Sequence, residues 1–479
     1  MKHYLMVDLG TGSTRVAIVS SRREIIGIRS FSNNYYRDNG YADAQYFLPQ
    51  EWEAEIFRCC RELHEQFPQI RIQAISAAGA RQSIVLIDKE GKSFYGLPNI
   101  DNRGRDYMGQ ISSREEIYRR SGRWVTEDFC AAKLMGLRML RPEIYRQIGQ
   151  VLSLSEWIAY LFTGRFVAEP SQACETQLYD LDSGDWSEML CRAYGVDMAL
   201  LPPLLSTGSR VGAVRDSLIA AYGMAGDAVF VAGGADTQLA LKQTGIKPGE
   251  IAVVSGTTSP VVALSADHCY DAQQRVWVNA NSGSPDFVVE MNPGVTGLNY
   301  QRIKNNLCPE LSYAWLEEQY EAKTDFACTA SFSSLLFYEQ RPLRMGGFFS
   351  RSPMDVRLDR VDMAWAVLAD IACSTYEQLY RLMELTGIRP GFVWGCGGGF
   401  QSGTLCRMLA DLSGLELRIK SGFEQATVLG LVIACNECLG EDSAEAAKPM
   451  LRTYVPRPDQ LIHRYYPVWL ENRSRTNSL

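Results

Sequence analysis

VDLGTGSTRVA, at residues 7–17, has a counterpart in VVSGTTSPVVA at residues 253–263. The two stretches match without a gap at Gly10, Thr11, Ser13, Val16 and Ala17, which correspond to Gly256, Thr257, Ser259, Val262 and Ala263. Each copy predicts a strand, a Gly-Thr turn and a second strand. A repeat of such long period indicates a duplicated domain whose second copy begins near residue 250. The copies differ where chemistry is expected, because Asp8 aligns with Val254.

Strands and helices alternate around the first copy. Apolar runs predict strands at residues 4–9, 15–20, 24–30 and 70–77, and helical spacing of apolar residues predicts a helix over residues 51–66. The pattern of residues 114–163 predicts mostly helix. This alternation predicts an α/β protein with mixed sheets. Glycine and proline in residues 242–250 predict the connection between the two copies.

The composition is typical of a folded chain with a sizeable core. Of the 479 residues, 46% are apolar and 22% are charged, and the formal net charge is −7. This balance excludes intrinsic disorder, and the lack of a long Lys/Arg block argues against general nucleic-acid binding. No apolar run approaches the roughly 18 residues of a membrane span. The 13 scattered cysteines and the lack of a secretory signal pattern predict reduced thiols and a cytoplasmic location.

Asp8 ends an apolar strand and faces a turn that contains Gly10 and Thr11. Turn glycines allow backbone N–H groups to approach an anion closely. Arg15 could add a fixed positive charge, and Asp8 could hold a hydrated Mg²⁺. The alternative is an ordinary β-hairpin in which Asp, Gly and Ser only form the turn. The stretch is neither a Walker A loop nor a dinucleotide-binding fingerprint, since the required Lys and third Gly are missing.

Asp236 follows a short buried strand and the residues Gly233-Gly234-Ala235, and it begins a helical pattern. Backbone N–H groups at a helix start favour the ionised carboxylate, and in the simplest interpretation Asp236 is only an N-cap. A carboxylate in a glycine-lined cleft could also accept a proton from a substrate hydroxyl. Phosphoryl transfer asks little more of a base, because positioning dominates its catalysis.

A third glycine-rich turn, residues 395–402, joins a predicted strand at Phe392–Trp394 to a helix. A strand, a glycine turn and a helix start together form a seat for a flat or anionic group. Tight strand–helix packing is the alternative. The four histidines lie outside such turns and give no support to a hydrolytic triad.

These motifs together resemble those of the FGGY carbohydrate kinases. Four motifs occur in the family's order and approximate spacing, namely Asp8-x-Gly10-Thr11-x-Ser13-x-Arg15, Gly233-Gly234-Ala235-Asp236, Ser255-Gly256-Thr257 and Gly397-Gly398-Gly399-x-x-Ser402. Connecting segments such as residues 117–122, 161–164 and 424–430 also look like the family. The resemblance therefore covers nearly the whole chain.

The resemblance implies a two-domain actin/hexokinase-type (ribonuclease H-like) fold, with a duplicated core and an interdomain cleft where ATP and sugar meet. It implies a sugar-binding domain at residues 1–246 that carries the catalytic Asp, and an ATP-binding domain at residues 247–479. By the same carry-over, Asp236 is the general base and Asp8 organises Mg²⁺. The implied nucleotide contacts are Gly10, Thr11, Ser13, Arg15, Gly256, Thr257, Gly397, Gly398, Gly399 and Ser402.

The substrate side departs from the family pattern. Where ketopentose kinases often carry Met-His, this chain has Arg81-Gln82, and its substrate loop lacks a common Trp. Arg81, Gln82 and Asp101, together with Asp236, are the predicted substrate contacts. For Arg81 a surface or interdomain ion pair is the alternative.

The resulting hypothesis is an ATP- and Mg²⁺-dependent kinase that phosphorylates a hydroxyl of a small sugar, with a ketose such as xylulose favoured. An autoinducer-like or glycerol-type polyol substrate is the alternative within the class. Outside the class, an actin-like ATPase switch without a sugar acceptor and a non-catalytic sugar-binding regulator are the rivals. A homodimer is one possibility for the assembly, and no nucleic-acid or membrane partner is expected.

Overall fold

The computed structural model describes residues 1–334, 343, 345–442 and 449–477. The chain forms two compact units. The first unit comprises Met1–Gln243, Val278–Phe287 and Thr427–Ala447, and the second comprises Thr244–Trp277, Val288–Ala426 and Lys448–Leu479. The first boundary lies close to the predicted division after residue 246. The prediction of two continuous domains differs from this grouping in the two later segments that join the first unit.

The first 244 residues contain the strands β1 (His3–Leu9), β2 (Ser13–Ser20), β3 (Ile25–Ser32), β4 (Tyr36–Arg37), β5 (Gln45–Tyr46), β6 (Ile72–Gly79), β7 (Ile84–Asp88), β8 (Ser93–Leu97), β9 (Ile148–Ser153), β10 (Tyr179–Asp180), β11 (Asp185–Trp186), β12 (Arg210–Ala213) and β13 (Met224–Ala235). Their helices are α1 (Pro49–Gln66), α2 (Arg114–Ser121), α3 (Cys130–Leu140), α4 (Pro142–Tyr145), α5 (Leu154–Thr163), α6 (Pro170–Cys174), α7 (Glu188–Tyr194), α8 (Asp216–Ile219) and α9 (Asp236–Thr244).

The rest of the chain contains the strands β14 (Ile251–Val254), β15 (Val261–Ser265), β16 (Trp277–Ala280), β17 (Phe287–Met291), β18 (Cys328–Ser331), β19 (Gly347–Ser350), β20 (Phe392–Cys396), β21 (Glu416–Lys420) and β22 (Met450–Tyr454). Its helices are α10 (Gly297–Leu307), α11 (Tyr313–Glu321), α12 (Arg360–Thr386), α13 (Gly403–Ser413), α14 (Ala426–Leu439) and α15 (Leu461–Asn477).

Local sequence signals account for several of these boundaries. Helix α1 begins with Pro49, which suits a first helical turn, and buries Trp52, Ile56 and Leu63 along one face. Helix α12 begins with a capping box in which Asp359 and Asp362 each accept the other's backbone N–H, and it ends at Gly387 in the left-handed conformation. These caps stop the helices where the apolar pattern stops.

The main sheet of the first unit has the strand order β12-β13-β6-β1-β2-β3. Strand β1 is antiparallel to β2, its hairpin partner, and parallel to β6, which is itself parallel to β13. In the second unit, the strands β17-β15-β14-β20-β21-β22 are hydrogen-bonded neighbours in that order, within a seven-stranded sheet. There β14 is antiparallel to β15 and parallel to β20. The hairpin with a parallel neighbour thus occurs in both units, as the repeated sequence predicts.

Helix α14 belongs to the first unit although it lies far along the chain. Its residues Val428, Leu431 and Cys435 share one buried cluster with Met6 of β1 and Val231 of β13. The hydroxyl of Tyr4 donates to Asn436 Oδ1 at 2.9 Å, and Asn436 Nδ2 donates to the carbonyl of Ser21 at 2.9 Å. The apolar face of the first sheet therefore requires a helix from the C-terminal part of the sequence.

One secondary-structure prediction was wrong. Residues 148–153 were included in a largely helical segment, but they form β9, which pairs antiparallel with β7. The run is short and apolar, with Ile148, Val151 and Leu152 buried, so its spacing cannot distinguish a strand from a buried helical turn. Tertiary pairing with β7 decides the outcome.

Among the described residues, no helix is both long enough and apolar enough to span a membrane. All thirteen cysteines lie in the described part of the chain and are free thiols, and most of them are buried.

Candidate functional site

The carboxyl ends of three neighbouring parallel strands meet at one edge of the first unit's sheet. Asp8 on β1 lies in register with Ala78 on β6, and Ala235 on β13 lies in register with Gly79. Asp8, Arg81 and Asp236 are therefore brought together at this edge. Because adjacent strands lie about 4.8 Å apart, the backbones of β1 and β13 are separated by about 10 Å. The residues Asp8 and Asp236 thus follow strands that lie on either side of β6.

Asp8 faces Arg15 across the first hairpin. The two residues are register partners, and Arg15 Nη1 lies 3.9 Å from Asp8 Oδ2. Burial raises the pKa of Asp8 from 3.8 to about 6, with Arg15 opposing this rise and the nearby Asp236 adding to it. The negative charge of an ionised Asp8 is therefore only partly offset by the positive charge of Arg15. This is a place where a cation bound beside the carboxylate is stabilised.

Asp236 is the first residue of α9. Its Oδ1 accepts a hydrogen bond of 2.7 Å from the backbone N–H of Thr237. The sequence predicted that the helix start would favour the ionised form, but burial outweighs this contact and raises the pKa of Asp236. Arg81 and Thr237 oppose the rise, and Glu175 adds to it. The net direction corrects the prediction and makes Asp236 a stronger base than an exposed aspartate.

Arg81 lies beside a buried ionic cluster that sequence reasoning missed. Arg81 Nη1 is 3.6 Å from Glu175 Oε1, and Arg123 Nη2 donates to the same oxygen at 2.6 Å. Gln82 Nε2 donates to Glu175 Oε2 at 3.2 Å, and Gln82 adopts a positive φ of 63°. Arg123 also donates to Asn279 Oδ1. Glu175 thus orients the predicted pair Arg81-Gln82. Arg81 does form an ion pair, but this pair is largely buried within the first unit and is not the surface or interdomain pair of the alternative. The charge of Arg81 still acts on Asp236.

Asp101, the other predicted substrate contact, is turned away from solvent. Its side chain is completely buried. Asp101 Oδ2 accepts from Arg103 Nε at 2.8 Å, and Oδ1 accepts from the backbone N–H of Gln45 at 2.8 Å. A ligand could reach this carboxylate only by breaking a buried ion pair. The geometry therefore does not support direct contact through Asp101, which instead holds its loop in place.

The turn of the first hairpin presents backbone and hydroxyl groups next to Asp8. Gly10 N–H donates to the carbonyl of Ser13 at 3.1 Å, which closes the turn. Thr11 Oγ1 accepts from Asn99 Nδ2 at 2.8 Å, and the Thr11 carbonyl accepts from the Tyr35 hydroxyl at 2.5 Å. These contacts fix the loop that carries the predicted nucleotide contacts Gly10, Thr11 and Ser13.

The second unit repeats this arrangement without the carboxylate. The N–H of Ser255, after β14, donates to the carbonyl of Cys396 at 2.8 Å, and Gly399 N–H donates to the Ser255 carbonyl at 3.0 Å. A Cβ on Gly399 would lie 2.1 Å from Ser255 Oγ, whereas one on Gly398 or Gly256 would meet nothing within 4 Å. The two predicted nucleotide loops therefore touch each other and leave exposed backbone on their outer side, where Thr257 is also exposed.

Ser402 has a structural role in this region. Its Oγ accepts the N–H of Leu405 as the N-cap of α13 and donates to Glu317 Oε1 at 2.5 Å.

Within the described ranges, no group of three or more His, Cys, Asp and Glu side chains could hold a metal ion. A metal at Asp8 would thus depend on one protein carboxylate, water and a bound phosphate.

Sequence reasoning missed Arg123, Glu175 and Asn279 because none lies in the repeat or in one of the three glycine-rich turns described above. One signal in the sequence could have pointed to Glu175. This residue is the only charged one in the stretch 170–175, Pro-Ser-Gln-Ala-Cys-Glu. A charge in such a run is usually paired or functional when the run is buried.

Comparisons with known proteins show which family the chain resembles. The model for the N-terminal domain of the FGGY family of carbohydrate kinases matches residues 3–242, and the C-terminal model matches residues 251–436. A Bacillus subtilis (strain 168) protein named "Putative sugar kinase YoaC" is 36% identical over 474 residues, which cover 98% of this chain and 97% of that protein. Autoinducer-2 kinase of Escherichia coli O9:H4 (strain HS) is 26% identical, with 97% and 92% covered.

Solved structures show the same fold. A ligand-bound xylulose kinase from Lactobacillus acidophilus superposes with a TM-score of 0.84 at 16% identity, covering 99% of this chain and 98% of that one. Plasmodium falciparum glycerol kinase with ADP gives a TM-score of 0.85 at 17% identity, with the same coverage. The fold is the two-domain actin/hexokinase type that the sequence motifs implied.

Proposed function

Because this chain belongs to the FGGY family of carbohydrate kinases and is an ATP-using sugar or polyol kinase, we propose that it phosphorylates a hydroxyl of a ketose such as xylulose, with Asp236 as the general base. The observation that carries this proposal is the meeting of Asp8, Arg81 and Asp236 at one sheet edge. Family membership favours a kinase over the actin-like switch and the non-catalytic regulator.

Asp236 is the residue that takes the proton of the accepting hydroxyl. Its raised pKa keeps it a better proton acceptor than a solvated carboxylate, while Arg81 limits the rise. Phosphoryl transfer passes through a loose transition state, so a carboxylate that orients the hydroxyl supplies most of what a base must supply. The contact with Thr237 uses only Oδ1 of Asp236, so it does not occupy the second carboxylate oxygen.

Asp8 fits the magnesium ion that the family implies. Its carboxylate is largely buried, only loosely paired with Arg15 and destabilised by Asp236. Mg²⁺ commonly binds through one or two carboxylates while keeping several waters and contacting substrate phosphates. When bound, the ion would neutralise charge that develops on the transferring phosphoryl group. Arg15 adds a guanidinium on the same side of the hairpin.

The nucleotide contacts of this proposal lie partly on the hairpin turn of the first unit and partly on glycine loops of the second unit. Gly256 and Gly398 are exposed and have open space where a Cβ would stand. A ligand can therefore approach their backbone N–H groups closely, which is what a phosphate or an adenosine face requires. Gly397 has a φ of 94°, a left-handed conformation that only glycine adopts readily.

Two adjacent alanine substitutions separate binding from folding in this loop. We expect Gly398→Ala to keep the melting temperature of the wild-type protein and to raise the KM for ATP by about tenfold, since its Cβ occupies ligand space. We expect Gly399→Ala to lower the free energy of unfolding by about 1–3 kcal/mol, since its Cβ overlaps Ser255. Thermal unfolding and initial-rate kinetics measure both. Equal effects of the two variants on ATP binding and stability would contradict this division.

Charge near Asp236 favours a neutral acceptor. Two positive residues, Arg81 and Arg123, lie in the same cluster as two acidic residues, Glu175 and Asp236. The formal net charge of this cluster is therefore zero. A sugar acid or a sugar phosphate would add an uncompensated charge, whereas a ketose or polyol offers only hydroxyls to Arg81 and Gln82. The 26% identity to autoinducer-2 kinase over most of the chain makes an autoinducer-like acceptor the second candidate.

An acceptor panel tests the substrate proposal. We expect ADP release with xylulose or a related ketose to exceed the acceptor-free rate by at least about tenfold, with lower kcat/KM for glycerol and other polyols and for the autoinducer precursor. Sugar acids serve as the charge control and are expected to react poorly. A preference of about tenfold for a polyol or the autoinducer precursor would replace the ketose, and a preference for a sugar acid would refute the charge argument.

A cytoplasmic location is part of the proposal and is supported by the thirteen free, mostly buried thiols. The division of labour, with sugar bound on the first unit and ATP on the second, is proposed from the position of Asp236 and Arg81 on one unit and of the glycine loops on the other.

A further inference from the structure

Two buried carboxyl groups lie behind the turn that presents Asp236, which is the junction where Gly234 and Ala235 end β13 and α9 begins. Glu156 is 3% exposed and Glu169 is 2% exposed. The N–H of Glu169 donates to Glu156 Oε1 at 3.1 Å. Neither side chain has a place in the chemistry proposed above, yet a pair of buried acids is costly to fold. Such a pair calls for a reason in the structure around it.

Glu169 is connected to the turn by a short chain of hydrogen bonds. Ser171 Oγ donates to Glu169 Oε2 and accepts the backbone N–H of Ala235 at 2.9 Å. Thr207 Oγ1 donates to Glu169 Oε1 at 2.5 Å. Because a hydroxyl has one proton, the acceptor Glu169 fixes the direction of this chain and leaves the Ser171 lone pair for Ala235. The contacted N–H belongs to the residue immediately before Asp236.

The neighbouring Gln172 holds the same turn from a second side. Its Nε2 donates to the carbonyl of Gly79, at the end of β6, at 2.9 Å and lies 3.4 Å from the carbonyl of Gly234. The start of α6 thus contacts the ends of both β6 and β13. These are the strand ends after which Arg81 and Asp236 follow.

The turn itself needs such support because it departs from regular strand geometry. The pairing of β13 with β6 shifts register between Val231 and Gly234. Gly234 has a φ of 151°, and a Cβ there would lie 2.7 Å from Glu169 Oε2. A bulge of this kind re-aims the following side chain, so the direction of Asp236 depends on what fixes Gly234 and Ala235.

Charge within the acid pair also distinguishes its members. Burial, with Glu169 adding to it, raises the pKa of Glu156 to about 8. The pKa of Glu169 is also raised by burial, but hydrogen bonds from Ser171, Thr207 and the N–H of Gln172 oppose the rise. Glu156 therefore keeps its proton near neutral pH. Glu169 is the member of the pair that accepts the hydrogen bonds from the hydroxyls of Ser171 and Thr207.

We propose that Glu169, acting through Ser171, is a positioning residue that aims Asp236 at the accepting hydroxyl. The inference rests on the proposed function of Asp236 as base. Glu156 contacts the backbone N–H of Glu169 and takes no part in the hydrogen bonds of this chain. Displacing a reacting group by about 1 Å can cost about 100-fold in rate, so a contact one residue away from the base is enough to matter.

Kinetics of Ser171→Ala and Glu169→Gln test this role, with Glu156→Gln as the matched buried-acid control. We expect kcat for phosphoryl transfer to fall by about tenfold or more in the first two variants, while the KM for the acceptor and acceptor-free ATP hydrolysis stay within about threefold. Ser171→Thr, which keeps the hydroxyl, should recover most of the rate. Glu156→Gln, which mimics the neutral acid, should match the wild-type protein.

Three results would overturn the inference. One is a Ser171→Ala variant whose kcat stays within about twofold of wild type; another is a parallel loss of transfer, hydrolysis and melting temperature, which would mean a purely structural role. The third is a crystal structure of Ser171→Ala in which the Asp236 carboxylate lies less than about 0.5 Å from its wild-type position. This measurement requires no acceptor. If wild-type protein phosphorylates no acceptor, the proposed function fails, and the crystal structure still decides the positioning role.

Discussion

Replacing Asp236 with Asn should lower kcat for phosphoryl transfer by about 10³-fold while ATP still binds. The amide keeps the shape of the side chain and its contact with Thr237, but it cannot take the proton of the accepting hydroxyl, and a positioned base contributes roughly 10²–10⁴ in rate. Coupled ADP-release kinetics give the transfer rate, and calorimetry gives the ATP dissociation constant.

Asp227→Asn is the matched control for this experiment. Asp227 lies on the same strand, β13, and is exposed to solvent. The same chemical change there should leave kcat within about twofold of wild type. A substituted Asp236 that retains more than about a tenth of the wild-type rate would remove this residue from the role of base.

Asp8→Asn should remove most of the transfer activity and also stabilise the protein. Above pH 6 the ionised Asp8 is held in a site that raises its pKa from 3.8 to about 6. A tenfold change in proton affinity corresponds to about 1.4 kcal/mol, so the charge costs about 1–3 kcal/mol of folding free energy at neutral pH. A neutral amide avoids this cost, but it leaves the proposed magnesium site without its carboxylate.

The stability gain should depend on pH in a defined direction. A carboxyl group whose pKa is raised in the folded state contributes stability below 3.8, and that contribution is lost as the pH rises through about 6. The melting temperature of Asp8→Asn should therefore exceed that of wild type at pH 8 and approach it near pH 4. Thermal unfolding at both pH values measures the difference. A gap that grows toward acid would show that Asp8 is stabilised by its surroundings.

Short-range patterns were enough to predict the strands that end at the site, but not how the last of these strands ends. The apolar runs before Asp8 and at Val229–Ala232 each predict a strand locally, and the parallel pairing of β1, β6 and β13 then brings the strand ends together. The residues Gly233-Gly234-Ala235, predicted as a turn, instead continue β13. Strand β9 was not predicted, because its six residues carry no periodicity that excludes a helix and only its partner β7 makes it a strand.

The electrostatics of the site could not be read from the sequence in the same way. The pKa of Asp236 depends on burial and on Arg81 and Glu175, which lie far away in the chain. In the sequence, Asp101 is as good a candidate for a substrate contact as Arg81. Only the structure shows that Arg103 and Gln45 donate hydrogen bonds to both of its carboxylate oxygens. Burial and pairing arise from tertiary contacts, and a single sequence carries no direct signal for them.

The place of helix α14 has a consequence for biosynthesis. The ribosome releases the strands of the first sheet early, but the helix that covers Met6 and Val231 follows only after residue 426. At about 5–20 residues per second, the nascent chain waits on the order of ten to forty seconds after residue 243 with that apolar face uncovered. The C-terminal half of the gene thus completes the N-terminal unit. A chain terminated early would leave the apolar face of this sheet exposed, and chaperones bind such surfaces.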